Sequence, residues 1–161
     1  MLPARTFTVP PVLITGSGSL KNVGDEIKKT GAEKGLLVTD KVMSELALFE
    51  EIKKALTDSG IEFVVYNGIT TEPTVDFVND GLQVYKENEC EIVVAFGGGS
   101  AIDTAKAVAV MATNKGSIED YMGLGKIPEK GVPLIAIPTT AGTGSEATIF
   151  TIITDTRTDV K

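Results

Sequence analysis

The apolar positions of this chain switch between two periods, and the switches mark out its elements. Leu20, Val23 and Ile27 recur at helical spacing over residues 20–30, and Gly31 suits a helix stop. Gly35-Leu36-Leu37-Val38-Thr39-Asp40 is nearly continuous in apolar character, as in a strand buried on both faces. Helical spacing returns over residues 44–59 through Leu46, Phe49, Ile52 and Leu56, ends at Gly60, and gives way to a strand over 61–66. Glu72-Pro73-Thr74 opens a helix over 74–87, with Val75, Val78, Leu82 and Tyr85 inward and Lys86, Glu87 and Glu89 as its solvated end. A central strand over 91–96, a helix running through Ala112 and a buried strand over 134–137 complete the pattern. Between the last two, residues 114–131 hold Gly116, Gly123, Gly125 and Pro128 with little periodicity, which predicts a surface excursion with at most a short helix.

The two ends of the chain differ from this core. Residues 7–9 and 12–15 are rich in β-formers around Pro10 and Pro11, which predicts edge strands forming an N-terminal β-hairpin. Residues 148–154 alternate β-formers again, and nothing after them would cover an exposed strand. The expectation from this ending is that the chain is a fragment, or that a second domain lies elsewhere. Strand and helix alternate through residues 36–137 with short connections, so the predicted fold class is α/β, a Rossmann-like parallel sheet with helices on both faces.

Chemistry concentrates where the central strand meets its helix. Gly97-Gly98-Gly99-Ser100 joins the two, and three residues without side chains let a large ligand approach backbone N–H groups at a helix start. A phosphate or pyrophosphate suits such a turn. Ser100 with Asp103 three residues later reads as a capping-box variant. The dinucleotide fingerprint is incomplete, since Ile102 stands at the third glycine position and no acid follows about 20 residues on. The Walker A pattern fails for want of Gly-Lys-Ser/Thr. Asp40 ends the preceding buried strand, where a carboxylate could bind ribose hydroxyls and repel a 2′-phosphate, favouring NAD over NADP; its alternative role is to cap the next helix. Gly16-Ser17-Gly18-Ser19 is a second turn before a helix, read as an ordinary connection or a nucleotide contact. Pro138-Thr139-Thr140-Ala141-Gly142-Thr143-Gly144-Ser145-Glu146 is a hydroxyl-dense loop after the last core strand.

Composition narrows the chemistry. The 161 residues contain no histidine, which removes imidazole as a metal ligand or proton carrier within the chain. The single cysteine, Cys90, excludes an internal disulfide and has no activating neighbour, so it reads as a small buried residue. With no signal-like or membrane-spanning stretch, a cytoplasmic location is expected. A net charge of −7 without a basic stripe argues against nucleic acid as a partner.

Two motifs together, Gly97-Gly98-Gly99-Ser100-x-x-Asp103-x-x-Lys106 and the loop from Pro138 to Glu146, resemble the iron-containing (group III) alcohol dehydrogenases. The resemblance implies that this chain corresponds to the N-terminal, cofactor-binding domain of that family. Gly98, Gly99 and Ser100 would wrap the pyrophosphate, and Asp40 would face the adenosine ribose. Thr139, Thr140 and Thr143 would line the groove, with Ser145, Thr148 and Lys161 nearer the nicotinamide. Asp103 would hold the glycine loop, and Lys106 is left outside the site. The family often has Asn before the proline at 73, where this chain has Glu72. The implied chemistry is reversible hydride transfer between a primary or secondary alcohol and NAD, with Fe2+ or Zn2+ gripping the substrate oxygen. The metal ligands of the family, an aspartate and three histidines, belong to its helical C-terminal domain, expected to be absent here. The isolated chain would then bind a nicotinamide dinucleotide without turnover, with no membrane partner and homo-oligomerisation left open. The alternative is a stand-alone, non-catalytic nucleotide-binding or assembly module.

Overall fold

The computed structural model describes residues 9–158. Four strands form one parallel sheet: β1 (Lys34–Asp40), β2 (Glu62–Ile69), β3 (Ile92–Gly97) and β4 (Leu134–Pro138), in the spatial order β2-β1-β3-β4. Helices α1 (Val23–Thr30), α2 (Ala47–Asp58), α3 (Val75–Glu87) and α4 (Gly99–Met111) make the crossovers or lead into them. Short 3-10 turns at Ser19–Asn22, Met43–Glu45 and Ile118–Tyr121 are added. The last of these is the short helix expected in the 114–131 excursion.

Both sheet faces are covered, because successive strand residues point to opposite sides. Leu36, Val38, Val93 and Ala95 pack with Val78, Tyr85, Ile102 and Val108 of α3 and α4. Leu37, Ile92, Val94 and Phe96 pack with Val23, Ile27, Phe49, Ile52 and Leu56 of α1 and α2. Burying each such aliphatic side chain contributes about 1.5–3 kcal/mol. Local signals set the helix ends. Thr74 caps α3 by accepting from Phe77 N at 3.3 Å, and α1 stops at Gly31 with φ 82°.

Four expectations are corrected. Residues 12–15 form no strand: Pro10 and Pro11 remove two adjacent backbone donors, and Val12, Leu13 and Ile14 are exposed. The other hairpin arm, at Phe7 and Thr8, lies outside the described residues, as does Lys161. β4 is half-buried rather than buried, since among the described residues it pairs only with β3 and forms a sheet edge. Residues 148–154 make no strand apart from a single parallel bridge between Thr154 and Thr74. Gly98, not Ser100, stands at the N-cap of α4, so Ser100 lies in the first turn and Asp103 is no capping-box partner. Among the described residues no helix is long and apolar enough to cross a membrane.

Candidate functional site

From β1 the chain crosses to β2 on one side and then returns to β3 on the other, so the topology reverses between β1 and β3. Crevices in open parallel sheets lie at the carboxyl ends of the strands flanking such a reversal. Here the β1–β3 ladder stops at Val38↔Ala95, while the β3–β4 ladder continues to Gly97↔Pro138. Thr39 Oγ1 donates to Phe96 O at 2.7 Å, satisfying a buried carbonyl just past the last β1–β3 pair. Beyond it lies a cleft of about 480 Å³ lined by Asp40–Met43, Ile69–Thr71, Gly98–Ala101, Thr139 and Thr140.

The glycines are packed closely. A Cβ on Gly97 would stand 2.8 Å from the Ala101 Cβ. On Gly98 it would lie 3.1 Å from Thr140 Oγ1, and on Gly99 3.3 Å from Ser145 Oγ and 3.4 Å from the Thr143 Cβ. The hydroxyl-dense loop therefore folds back over the start of α4, where Thr139 N donates to Gly97 O at 2.9 Å. The first intrahelical bond of α4 runs from Ile102 N to Gly98 O, which leaves the preceding N–H groups of the first turn for an anion. Thr139 Oγ1 is buried and has no hydrogen-bond partner among the described residues. The side-chain-free turn, the helix start and this unpartnered hydroxyl fit a diphosphate with an attached ribose.

Asp40 lines the cleft and also bonds the turn that follows β1. Its Oδ1 accepts from Met43 N at 2.8 Å and so caps the 3-10 turn. Its Oδ2 faces the glycine turn, 3.5 Å from the position of a Gly97 Cβ.

Asp103 and Thr148 do not line this cleft. Asp103 is buried on α4, and its Oδ2 accepts from Ile152 N at 3.3 Å. Thr148 Oγ1 accepts from Lys106 Nζ at 3.3 Å. Burial pushes the Lys106 ammonium below its usual pKa, against the opposing pull of Asp103 and Glu146. The Gly16–Ser19 turn does not line the cleft.

Residues 10–161 match the family described as iron-containing alcohol dehydrogenase. The chain belongs to this family. Among its relatives, the NAD-dependent methanol dehydrogenase of Bacillus methanolicus is 40% identical over 155 residues, covering 96% of this chain and 41% of its own length. Choline dehydrogenase of Bacillus subtilis (strain 168) is 43% identical over 160 residues, covering 98% of this chain and 40% of its own. The solved alcohol dehydrogenase from Oenococcus oeni superposes with a TM-score of 0.94 at 34% identity, over 98% of this chain and 42% of that one. The chain thus spans about two fifths of the length of these relatives.

In this member of the family, sequence reasoning missed one wall of the cleft, formed by Lys41, Val42, Met43, Ile69, Thr70 and Thr71. All six lie at or just beyond the carboxyl ends of β1 and β2, a position that the order of the strands makes significant. No cluster of three or more His, Cys, Asp or Glu side chains suited to a metal ion occurs among the described residues.

Proposed function

We propose that residues 1–161 are the dinucleotide-binding domain of a metal-dependent alcohol dehydrogenase that takes NAD in preference to NADP. The single observation that carries this reading is the cleft at the β1–β3 reversal. There Asp40 Oδ2 and the bare start of α4 face each other across Gly97. A diphosphate would sit on the N–H groups of Gly99, Ser100 and Ala101, with Gly98 leaving room for its approach. Asp40 would accept from the adenosine ribose hydroxyls, and its charge would repel a 2′-phosphate. Thr139, Thr140, Thr143 and Ser145 would line the path toward β4, with Thr148 and Lys161 nearer the nicotinamide. Asp103 would support the loop from behind rather than touch the cofactor.

When bound, a nicotinamide would supply the hydride acceptor for oxidation of a primary or secondary alcohol, or in its reduced form the donor for reduction of the corresponding aldehyde or ketone. The Fe2+ or Zn2+ that would polarise the substrate oxygen needs ligands from outside this histidine-free sequence. The names of the relatives, methanol dehydrogenase and choline dehydrogenase, span different alcohols, so the substrate class is left at small alcohols and aldehydes. A cytoplasmic location and the lack of membrane or nucleic-acid partners belong to the same proposal.

Calorimetric titration of the 161-residue chain with NADH tests it. The expected result is saturable binding, without alcohol-dependent NADH formation when Fe2+ or Zn2+ is added. No saturation at millimolar NADH would overturn the proposal.

A further inference from the structure

The segment 148–152 is anchored by one turn of α4 through polar contacts. Lys106 Nζ donates to Phe150 O at 2.7 Å and to Thr148 Oγ1 at 3.3 Å. Thr151 Oγ1 donates to Asp103 O at 2.7 Å, and Ile152 N donates to Asp103 Oδ2 at 3.3 Å. Apolar burial does not fix this segment, because Ile149, Phe150 and Ile152 are each more than half exposed (66%, 56% and 60%). Nor does a sheet ladder, since the segment has no strand. The anchoring side chains themselves are enclosed: those of Lys106 and Asp103 are each 12% exposed, with Nζ 3.7 Å from Asp103 Oδ1. Hydrogen bonds that involve an ionised partner in such surroundings are stronger than neutral ones. Two of the four reach main-chain atoms of the segment, so they fix its path rather than one side chain.

The same helix begins at the glycine turn, less than two turns before Lys106. We propose that Lys106, paired with Asp103, is a positioning residue that latches segment 148–152 onto α4, holding Thr148 in register with the glycine turn. Lys106 touches no part of the cofactor in this scheme. The inference rests on the assignment of the cleft to a nicotinamide dinucleotide. Under that assignment the diphosphate is held at the start of α4 and the far half of the ligand runs toward Thr148. Loosening the latch should therefore weaken a full dinucleotide while sparing a ligand that ends at the diphosphate.

The test uses the 161-residue chain with Lys106→Met, Lys106→Arg and Thr151→Val, titrated in parallel with NADH and with ADP, and followed by amide hydrogen exchange. Lys106→Met should speed exchange across residues 148–152 by roughly tenfold and weaken NADH by roughly tenfold, the scale of one charge-assisted hydrogen bond, with ADP held within about twofold. Lys106→Arg, which keeps a cationic donor, should recover most of the NADH affinity. Thr151→Val removes one bond of the latch without altering charge, and should give the same pattern at about threefold even if Lys106→Met does not fold. Unchanged exchange in 148–152, or equal losses for ADP and NADH, would overturn the latch. A wild-type chain that binds neither nucleotide would instead overturn the cofactor assignment, while the exchange data still decide whether Lys106 anchors the segment.

Discussion

Replacing Gly97 and Gly98 separately by alanine distinguishes space needed by the fold from space kept for a ligand. Gly98 has φ −79° and ψ −171°, an extended conformation open to any residue. Its new Cβ would meet only the Thr140 side chain, with Oγ1 at 3.1 Å and Cβ at 3.7 Å, and rotation of one hydroxyl relieves the contact. The folding cost should stay within about 0.5 kcal/mol, or about 2 °C in Tm for a domain of this size. The methyl would nevertheless stand in the cleft, between two of its lining residues. Pushing a diphosphate off the helix start there forfeits at least one charge-assisted N–H bond, about 1.5–3 kcal/mol. That is roughly a ten- to hundredfold rise in the NADH Kd. Gly97 gives the opposite result. Its Cβ would lie 2.8 Å from the Ala101 Cβ, and neither atom can rotate away, so the first turn of α4 must move. Overpacking of this kind costs about 1–3 kcal/mol, and a 2 kcal/mol loss lowers Tm by roughly 4–8 °C. Scanning calorimetry and NADH titration on both variants provide the comparison. A Gly98→Ala chain with unchanged Tm and an NADH affinity within about twofold of wild type would refute the claim that the turn holds a diphosphate.

Two further outcomes follow from single side chains. Asp40→Asn keeps an Oδ1 acceptor for Met43 N but loses the carboxylate facing Gly97, whereas Asp40→Gly loses both. Both variants should shift the NADPH-to-NADH affinity ratio upward by about tenfold, and only Asp40→Gly should also lose stability, by about 0.3 kcal/mol, from the missing bond to Met43 N. An unchanged ratio in both variants would restrict Asp40 to capping. Glu91 accepts from Glu33 N at 2.7 Å and Lys34 N at 3.3 Å, and these bonds hold its pKa below the ordinary 4.5. Because the folded value is the lower one, the stabilisation is present above pH 4.5 and is lost as pH falls through the folded value. Glu91→Gln should therefore have a lower Tm than wild type near neutrality and converge on it in acid; a Tm difference independent of pH would contradict this.

Where one local rule decided the outcome, the sequence was sufficient. β1 and β3 are covered by helices on both faces, so their residues had to form continuous apolar runs, and both strands were legible together with the turn between β3 and α4. Asp40, Gly98, Gly99, Ser100, Thr139 and Thr140 line the cleft and were legible for a related reason, standing at or just after the carboxyl ends of apolar strand runs. Position within the sheet was not. Leu134-Ile135-Ala136-Ile137 has the composition of a central strand, yet among the described residues it lies at an edge, and its half-exposure follows from a strand order that periodicity does not encode. The wall from Ile69 to Thr71 was hidden for the same reason, since it borders the cleft only because β2 lies beside β1. Ser100 and Asp103 misled because a run of three glycines lets the cap fall at Gly98, two residues before Ser100, the first conventional cap. Residues 148–152 misled because alternating β-formers predict a ladder, whereas tertiary hydrogen bonds to Asp103 and Lys106 hold them without one.

The Thr39 hydroxyl at Phe96 O has a thermodynamic consequence for any ligand of the cleft. A gap between neighbouring strands ordinarily strands a carbonyl in the interior, so a closed sheet would resist parting and an entering molecule would bear that cost. Here the threonine side chain replaces the missing rung, so Phe96 O is already matched where the β1–β3 ladder has ended. The cleft is preorganised at its floor, and binding energy gained there can appear as affinity instead of being spent on opening the sheet.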